Sequence, residues 1–176
     1  MVLLMEKIIF DQDAINRSLK RIAHEILEKN RHLDDVVLVG IKTRGVFLAE
    51  RLCQLIQDFE GINIPFLALD VRRYRDDVKR EVGENPEEPE MALDEKIVII
   101  IDDVLYTGRT VRAAMEAVLK YGRPKSIQLG TLIDRGHREL PIRADYIGKN
   151  IPTSKSESVN VFLTEVDGED LVVIKD

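Results

Sequence analysis

Tryptophan is absent from this chain of 176 residues, cysteine occurs once, and aromatic residues make up only 5% of it. The lone Cys53 excludes an internal disulfide and any zinc site built on several thiolates, and it fits a reducing compartment. Leu48, Leu52, Leu55 and Ile56 surround it at helical spacing, so it reads as inert core and not as a nucleophile. No apolar run approaches the roughly 20 residues that cross a bilayer. The start, Met1-Val2-Leu3-Leu4-Met5, is interrupted by Glu6 before a signal-peptide core could form, so a cytoplasmic chain with no membrane partner is expected. Neither G-x-x-x-x-G-K-[ST] nor G-x-G-x-x-G occurs, and P-loop and dinucleotide sites therefore lack their parts. A net charge of −6 argues against broad nonspecific nucleic-acid binding, though a local basic patch is compatible with it.

What is present is a hydrophobic content of 44%, enough for one sizeable core. Over residues 13–30, Ile15, Leu19, Ile22, Ala23, Ile26 and Leu27 recur at helical spacing, with Asp11 or Asp13 as the N-cap. Residues 36–40 read as a buried strand, and 45–59 as a helix carrying Leu48, Leu52, Leu55, Ile56 and Phe59 on one side. Further strands are expected at 64–69, 96–101 and 126–133, with a helix over about 107–121. This alternation predicts an α/β fold, a mostly parallel sheet flanked by helices, in a single domain spanning 1–176. Residues 71–95 carry charge, Gly83, Pro86 and Pro89 without an apolar period, and read as a long flexible loop of the kind that serves as a lid. After Ile133 the short apolar pieces 144–147, 159–163 and 171–174 suggest a small β-rich hood, mainly 134–176.

The strongest chemical signal runs from Ile97 to Thr110. A hydrophobic strand delivers Asp102 and Asp103 to its C-terminal end, where open α/β sheets bind ligands. The following Val104-Leu105-Tyr106-Thr107-Gly108-Arg109-Thr110 opens a helix, so backbone N–H groups and hydroxyls can surround a phosphate at the positive end of the helix dipole. Carboxylates repel phosphate but accept hydrogen bonds from ribose hydroxyls, and they can help hold magnesium. Acids beside an anion cradle point to a sugar phosphate. A second turn, Gly40-Ile41-Lys42-Thr43-Arg44-Gly45, supplies cations and a hydroxyl between two glycines that permit close backbone approach.

Residues 98–110 resemble the phosphoribosyl-diphosphate signature of the type I phosphoribosyltransferases. The resemblance implies that Asp102 and Asp103 hold ribose hydroxyls and that Val104 to Thr110 wrap the 5-phosphate. It also implies that Lys42, Thr43 and Arg44 meet the diphosphate, and that Mg2+ rides on the substrate without a dedicated protein site. Catalysis would then rest on fixed charge, with Asp102, Asp103 and Arg44 as the catalytic groups, and no covalent nucleophile is required. Arg72, Arg73, Tyr74 and Arg75 would root a lid that excludes water.

The run from Asp134 to Ser154, with Arg21-Ile22-Ala23-His24-Glu25, Val39 to Gly45 and Tyr74-Arg75-Asp76-Asp77, is similar to a branch of that family. Its members are bacterial pyrimidine-operon regulators that are also uracil phosphoribosyltransferases. That similarity implies uracil as acceptor, UMP or UTP as effector, the operon leader RNA as partner, and a homodimer or larger homo-oligomer. It also implies Arg135 on the diphosphate side and Val159 in the base pocket, although by chemistry alone Arg135 could be a surface ion-pair partner and Val159 a core residue. On the first helix Arg17, Lys20, Arg21 and His24 form a basic stripe, and Arg138, Arg143 and Lys149 could extend it into an RNA-binding face. The alternative is a solvated helix face paired with Glu25 and Glu28. His137 reads as a polar surface residue, because the chemistry needs no acid or base there. Rival readings are a salvage enzyme for hypoxanthine or guanine, and a nucleotide-binding regulator with little catalysis.

Overall fold

The computed structural model describes residues 5–76 and 91–176. Strand β1 (Glu6–Phe10) leads into helix α1 (Gln12–Lys29). Asp11, and not Asp13, is the N-cap: its side chain accepts a hydrogen bond from the Ala14 amide at 2.8 Å, satisfying one of the free donors of the first turn. Strand β2 (Val36–Ile41), helix α2 (Arg44–Glu60) and strand β3 (Phe66–Leu69) follow. Then come β4 (Ile97–Leu105), α3 (Arg109–Lys120), β5 (Ser126–Asp134) and β6 (Tyr146–Asn150). The chain closes with β7 (Ser158–Phe162), the one-turn helix α4 (Thr164–Asp167) and β8 (Leu171–Lys175).

Five strands form a parallel sheet in the order β3-β2-β4-β5-β6. Both of its faces are covered, which is why the central strands read as unbroken Val/Ile runs. Alternate side chains of β4 separate the two layers of core. Ile99 and Ile101 meet α1 and α2, whereas Val98 and Ile100 meet the α3 side with Val111, Ala114 and Val118. From β2 the chain goes outward to β3 and then returns to β4 on the other side of β2. The crevice at the carboxyl ends of β2 and β4 is therefore the topological switch point, where ligands of open sheets bind.

A second, antiparallel sheet in the order β1-β8-β7 is the hood. Its membership corrects the expected boundary of 134–176. The piece expected at 144–147 is β6, which pairs in parallel with β5 as an edge of the main sheet, and the hood takes its third strand from the N-terminus. Strand β1 went unread because it is a single short Ile8-Ile9-Phe10 run, and it forms only by pairing with β8 far along the chain. Strand β4 also runs farther than expected, so Asp102 and Asp103 lie within it. Most of the expected 71–95 loop, residues 77–90, lies outside the described residues. Cys53 is buried, and desolvation pushes its thiol up to about 12, in keeping with inert core.

Candidate active site

Glycines bring the turn after β2 against β4 at the switch point. Gly45, in the first turn of α2, lies against β4: a Cβ there would sit 2.4 Å from the Ile101 carbonyl oxygen. Gly40, at the end of β2, is packed as tightly under Gly45, and a Cβ would sit 2.5 Å from the Gly45 oxygen. The turn of Lys42, Thr43 and Arg44 is thus held beside the acid pair with no room for a side chain between them.

Asp102 is buried at 8% exposure, and Asp103 is half-buried next to it. Each accepts one short local bond: Asp102 from the Asp103 amide at 2.9 Å, Asp103 from the Val104 amide at 2.8 Å. Burial holds the Asp102 carboxyl well above the ordinary carboxylate range, the Asp103 charge adds to this, and Arg75 opposes it. The pair is an acceptor site in a poorly solvated place, whose ionised form gains from any positive charge that arrives.

Beyond the acids lies a cavity of about 370 Å³ lined by Asp102, by Val104 through Val111, and by Arg75 and Glu139. Gly108, with φ at +93°, turns the chain into α3, a conformation that glycine adopts without cost. The turn explains why the helix begins at Arg109 and not at the expected 107. The Thr107 hydroxyl accepts from the Arg109 amide at 3.2 Å, and the first helical turn otherwise presents its N–H groups to the cavity end.

The loop is strapped from outside by residues 135–142. The Leu105 carbonyl accepts from the Arg135 amide (3.1 Å), and the Thr107 carbonyl accepts from the Glu139 and Leu140 amides (2.9 and 3.2 Å). Arg138 donates to the Tyr106 carbonyl (2.7 Å), the Ile142 carbonyl (2.9 Å) and the Asp134 carboxylate. The carbonyls of three successive residues, Leu105, Tyr106 and Thr107, are thereby engaged by this segment. Arg109 bridges Asp76 (2.8 Å) and Glu139 (3.2 Å), and Arg112 donates to the Tyr74 carbonyl at 2.6 Å. Tyr74 and Asp76 are thereby latched to α3.

The structure gathers the expected site residues unevenly. Val104 to Thr110 and Asp102 share the cavity, and Lys42 and Thr43 are exposed on the neighbouring turn. Arg44 leaves that turn to pair with Asp167 of the hood, through Nε at 3.2 Å and Nη2 at 2.8 Å. Arg135 is 7% exposed; it stacks on Tyr106 at 4.0 Å and donates to the carbonyls of Ser154 and Glu157, so it is a brace inside the fold and not a surface ion-pair partner. Val159 pairs with Ile174 in the hood and packs against the core. Glu139 and Asp167 went unread: Glu139 stands inside a quoted run without a distinguishing spacing, and Asp167 meets Arg44 only across the fold; Arg75, read as part of the root of a lid, lines the cavity itself.

The basic stripe is rearranged too. Arg17, Arg21 and Lys149 line one groove with Phe10, Ala14, Ser18 and Gly148, of about 490 Å³. Arg21 donates to the Ile147 and Gly148 carbonyls, and Lys149 lies 5.4 Å from the centre of the Phe10 ring. His24 stacks on Phe59 of α2 at 4.2 Å, Lys20 and Arg143 are exposed outside the groove lining, and Arg138 belongs to the strap on the loop of residues 104–110.

Among the described residues no group of three or more His, Cys, Asp or Glu side chains could hold a metal ion. The two adjacent carboxylates fit a divalent cation that arrives on substrate oxygens. No described helix is long and apolar enough to cross a membrane.

Residues 6–167 match the family model described as "Phosphoribosyl transferase domain". "Bifunctional protein PyrR" of Staphylococcus saprophyticus is 54% identical over 173 residues, covering 97% of this chain and 99% of that protein. The protein of the same name from Clostridium novyi is 55% identical, covering 96% and 97%, and that from Bacillus velezensis is 56% identical, covering 95% of each. Among solved structures, a hypoxanthine phosphoribosyltransferase of Trypanosoma cruzi has a TM-score of 0.75 at 20% identity, covering 100% of this chain and 94% of that one. A hypoxanthine phosphoribosyltransferase of Staphylococcus aureus has a TM-score of 0.72 at 22% identity, covering 95% and 90%. At such identities the likeness is one of fold.

Proposed function

This chain belongs to the phosphoribosyltransferase family, and within it to the PyrR proteins; from that premise we propose that it transfers the phosphoribosyl group of 5-phosphoribosyl 1-diphosphate to uracil, giving UMP and diphosphate. The observation that carries the proposal is the cavity that Asp102, with Asp103 next to it in the chain, shares with the strapped loop at the mouth of α3, which supports reading the acids as acceptors for hydroxyls and the loop as an anion cradle.

On this reading the loop of residues 104–110 holds the 5-phosphate through backbone N–H groups and the Thr107 and Thr110 hydroxyls. Asp102 and Asp103 accept hydrogen bonds from the ribose hydroxyls. As the base nitrogen attacks the anomeric carbon and the diphosphate departs, positive charge grows on the ribose ring, which favours the ionised form of the buried Asp102. Lys42 and Arg44 offset the negative charge gathering on the leaving group. A magnesium ion bound with the substrate would supply further charge neutralisation, with Asp102 and Asp103 the carboxylates able to help hold it. Arg75, between the latched Tyr74 and Asp76, lines the same cavity.

The second half of the proposal is regulation. The groove of Arg17, Arg21 and Lys149 supplies local cations on an acidic chain, and RNA backbone contacts depend on local charge. We assign it to a structured pyrimidine-operon leader RNA, with UMP or UTP strengthening capture, in a cytoplasmic homodimer or larger homo-oligomer whose size light scattering would measure. The deciding assay incubates the protein with the diphosphate sugar, magnesium and each free base in turn. UMP as the main product is expected; IMP or GMP instead would reassign the acceptor, and no nucleotide at all would leave a regulator without catalysis.

A further inference from the structure

Helix α2 grips the hood with two arginines spaced seven residues, or two turns, apart. Arg51 donates to Glu165 at 2.8 and 2.7 Å and to Asp170 at 2.7 and 2.8 Å, while Arg44 makes its fork with Asp167. All three carboxylates come from the short turn between β7 and β8. Asp167 is itself fixed, since its Oδ2 accepts from the Leu163 amide at 2.8 Å and its own amide donates to the Leu163 carbonyl at 2.7 Å.

The two grips have different neighbours. Arg51 lies in the middle of α2, where four hydrogen bonds suffice to dock the turn. Arg44 is the first residue of α2, adjoining the Gly45 that touches Ile101 and so lies beside the acid pair. Its Nε and Nη2 are engaged, and among the described residues Nη1 has no hydrogen-bond partner.

We infer that Asp167 is a positioning residue for Arg44, holding the guanidinium in one orientation so that a diphosphate meets a cation that is already ordered. Two effects of the carboxylate compete. It partly cancels the cation's charge, and it removes the rotameric freedom that a long arginine side chain would otherwise lose on binding. The pair is 31% and 17% exposed, where water and salt screen the charge effect, so the ordering effect wins. A planar fork suits this task, because Nε and one terminal nitrogen can be anchored while the other stays available. The inference rests on the phosphoribosyltransferase reading above.

Its test compares the full-length protein with Asp167→Asn, Glu165→Gln and Arg44→Lys. Magnesium diphosphate is titrated by calorimetry, and KM is measured separately for the diphosphate sugar and for uracil. Asp167→Asn is expected to weaken diphosphate binding, and to raise KM for the diphosphate sugar, by about tenfold, the lower range for a charge-assisted hydrogen bond, with KM for uracil little changed. Glu165→Gln, which loosens the same turn without touching Arg44, should leave both KM values within about twofold, as an exposed ion pair allows. In an Arg44→Lys background, where no fork exists to be oriented, Asp167→Asn should add little. Equal effects of Asp167→Asn and Glu165→Gln, additive effects with Arg44→Lys, or tighter diphosphate binding by Asp167→Asn would each overturn the inference. A wild-type protein that neither binds diphosphate nor forms UMP would remove the functional reading itself, an outcome distinct from these.

Discussion

The Cα of Gly45 is packed so closely on Ile101 that one added methyl group would stand 2.4 Å from the Ile101 carbonyl oxygen. That contact joins the turn carrying Lys42 and Arg44 to the strand carrying Asp102. Gly45→Ala must push the two apart, and we expect it to cost about 1–3 kcal/mol of stability, the usual range for overpacking. Urea unfolding would measure the loss; wild-type stability in Gly45→Ala would show that the interface yields without strain.

The acid pair should matter to turnover far more than to folding. Asp103→Asn keeps the shape and removes a charged acceptor, so a loss of about 1–3 kcal/mol in transition-state stabilisation is expected from kcat/KM, with an unchanged unfolding midpoint. A folded Asp102→Asn, Asp103→Asn double variant with full activity contradicts the ribose assignment.

Acid should release the hood. The Arg51 guanidinium beside Asp170 holds its carboxyl down at about 2 against an ordinary 3.8. A carboxyl depressed in the folded state contributes stability above its unfolded range, here about 2 kcal/mol by linkage, and loses it as pH falls from about 4 towards 2. Asp170→Asn should therefore be less stable than wild type at pH 7, with the difference vanishing near pH 2. A stability gap that stays constant with pH would mean that the Arg51 pair contributes nothing through charge.

A polar triad of buried Asn30 and Tyr146 with half-buried Gln128 ties α1 to the other end of the sheet. The Tyr146 hydroxyl donates to Gln128 Oε1 at 2.6 Å and accepts from Asn30 Nδ2 at 3.1 Å, while Gln128 Nε2 donates to Asn30 Oδ1 at 2.8 Å. Tyr146→Phe should cost about 1–2 kcal/mol, the loss of a buried hydrogen bond with one acceptor left short. Thermal denaturation at neutral pH reads this directly, and an unchanged midpoint would show water replacing the hydroxyl.

RNA binding and transfer should separate. Arg21 and Arg138 bond backbone carbonyls, so their loss would disturb the fold, whereas Arg17 and Lys149 are the cleaner probes of the groove. Arg17→Glu with Lys149→Glu is expected to weaken leader-RNA binding and flatten its salt dependence, while uracil turnover stays intact. Filter binding at two salt concentrations checks this; undiminished RNA binding would move the interface elsewhere.

What the sequence determined by itself was whatever is local. The run from Ile97 to Thr110 places strand, paired acids, turn and helix within fourteen consecutive positions, and each part is dictated by its immediate neighbours. The parallel sheet was legible for the same reason, since central strands buried on both faces must be apolar throughout. Tertiary structure decided everything that depends on partners far apart in the chain. Strand β1 exists as a strand through β8, β6 could not be told from a hood strand until it paired with β5, and Arg138 became part of the support of the 104–110 loop through the Tyr106 carbonyl. Arg44 and Asp167, separated by 123 positions, show why: charged side chains carry no periodic signal, and only the folded backbone selects which opposite charge each one meets.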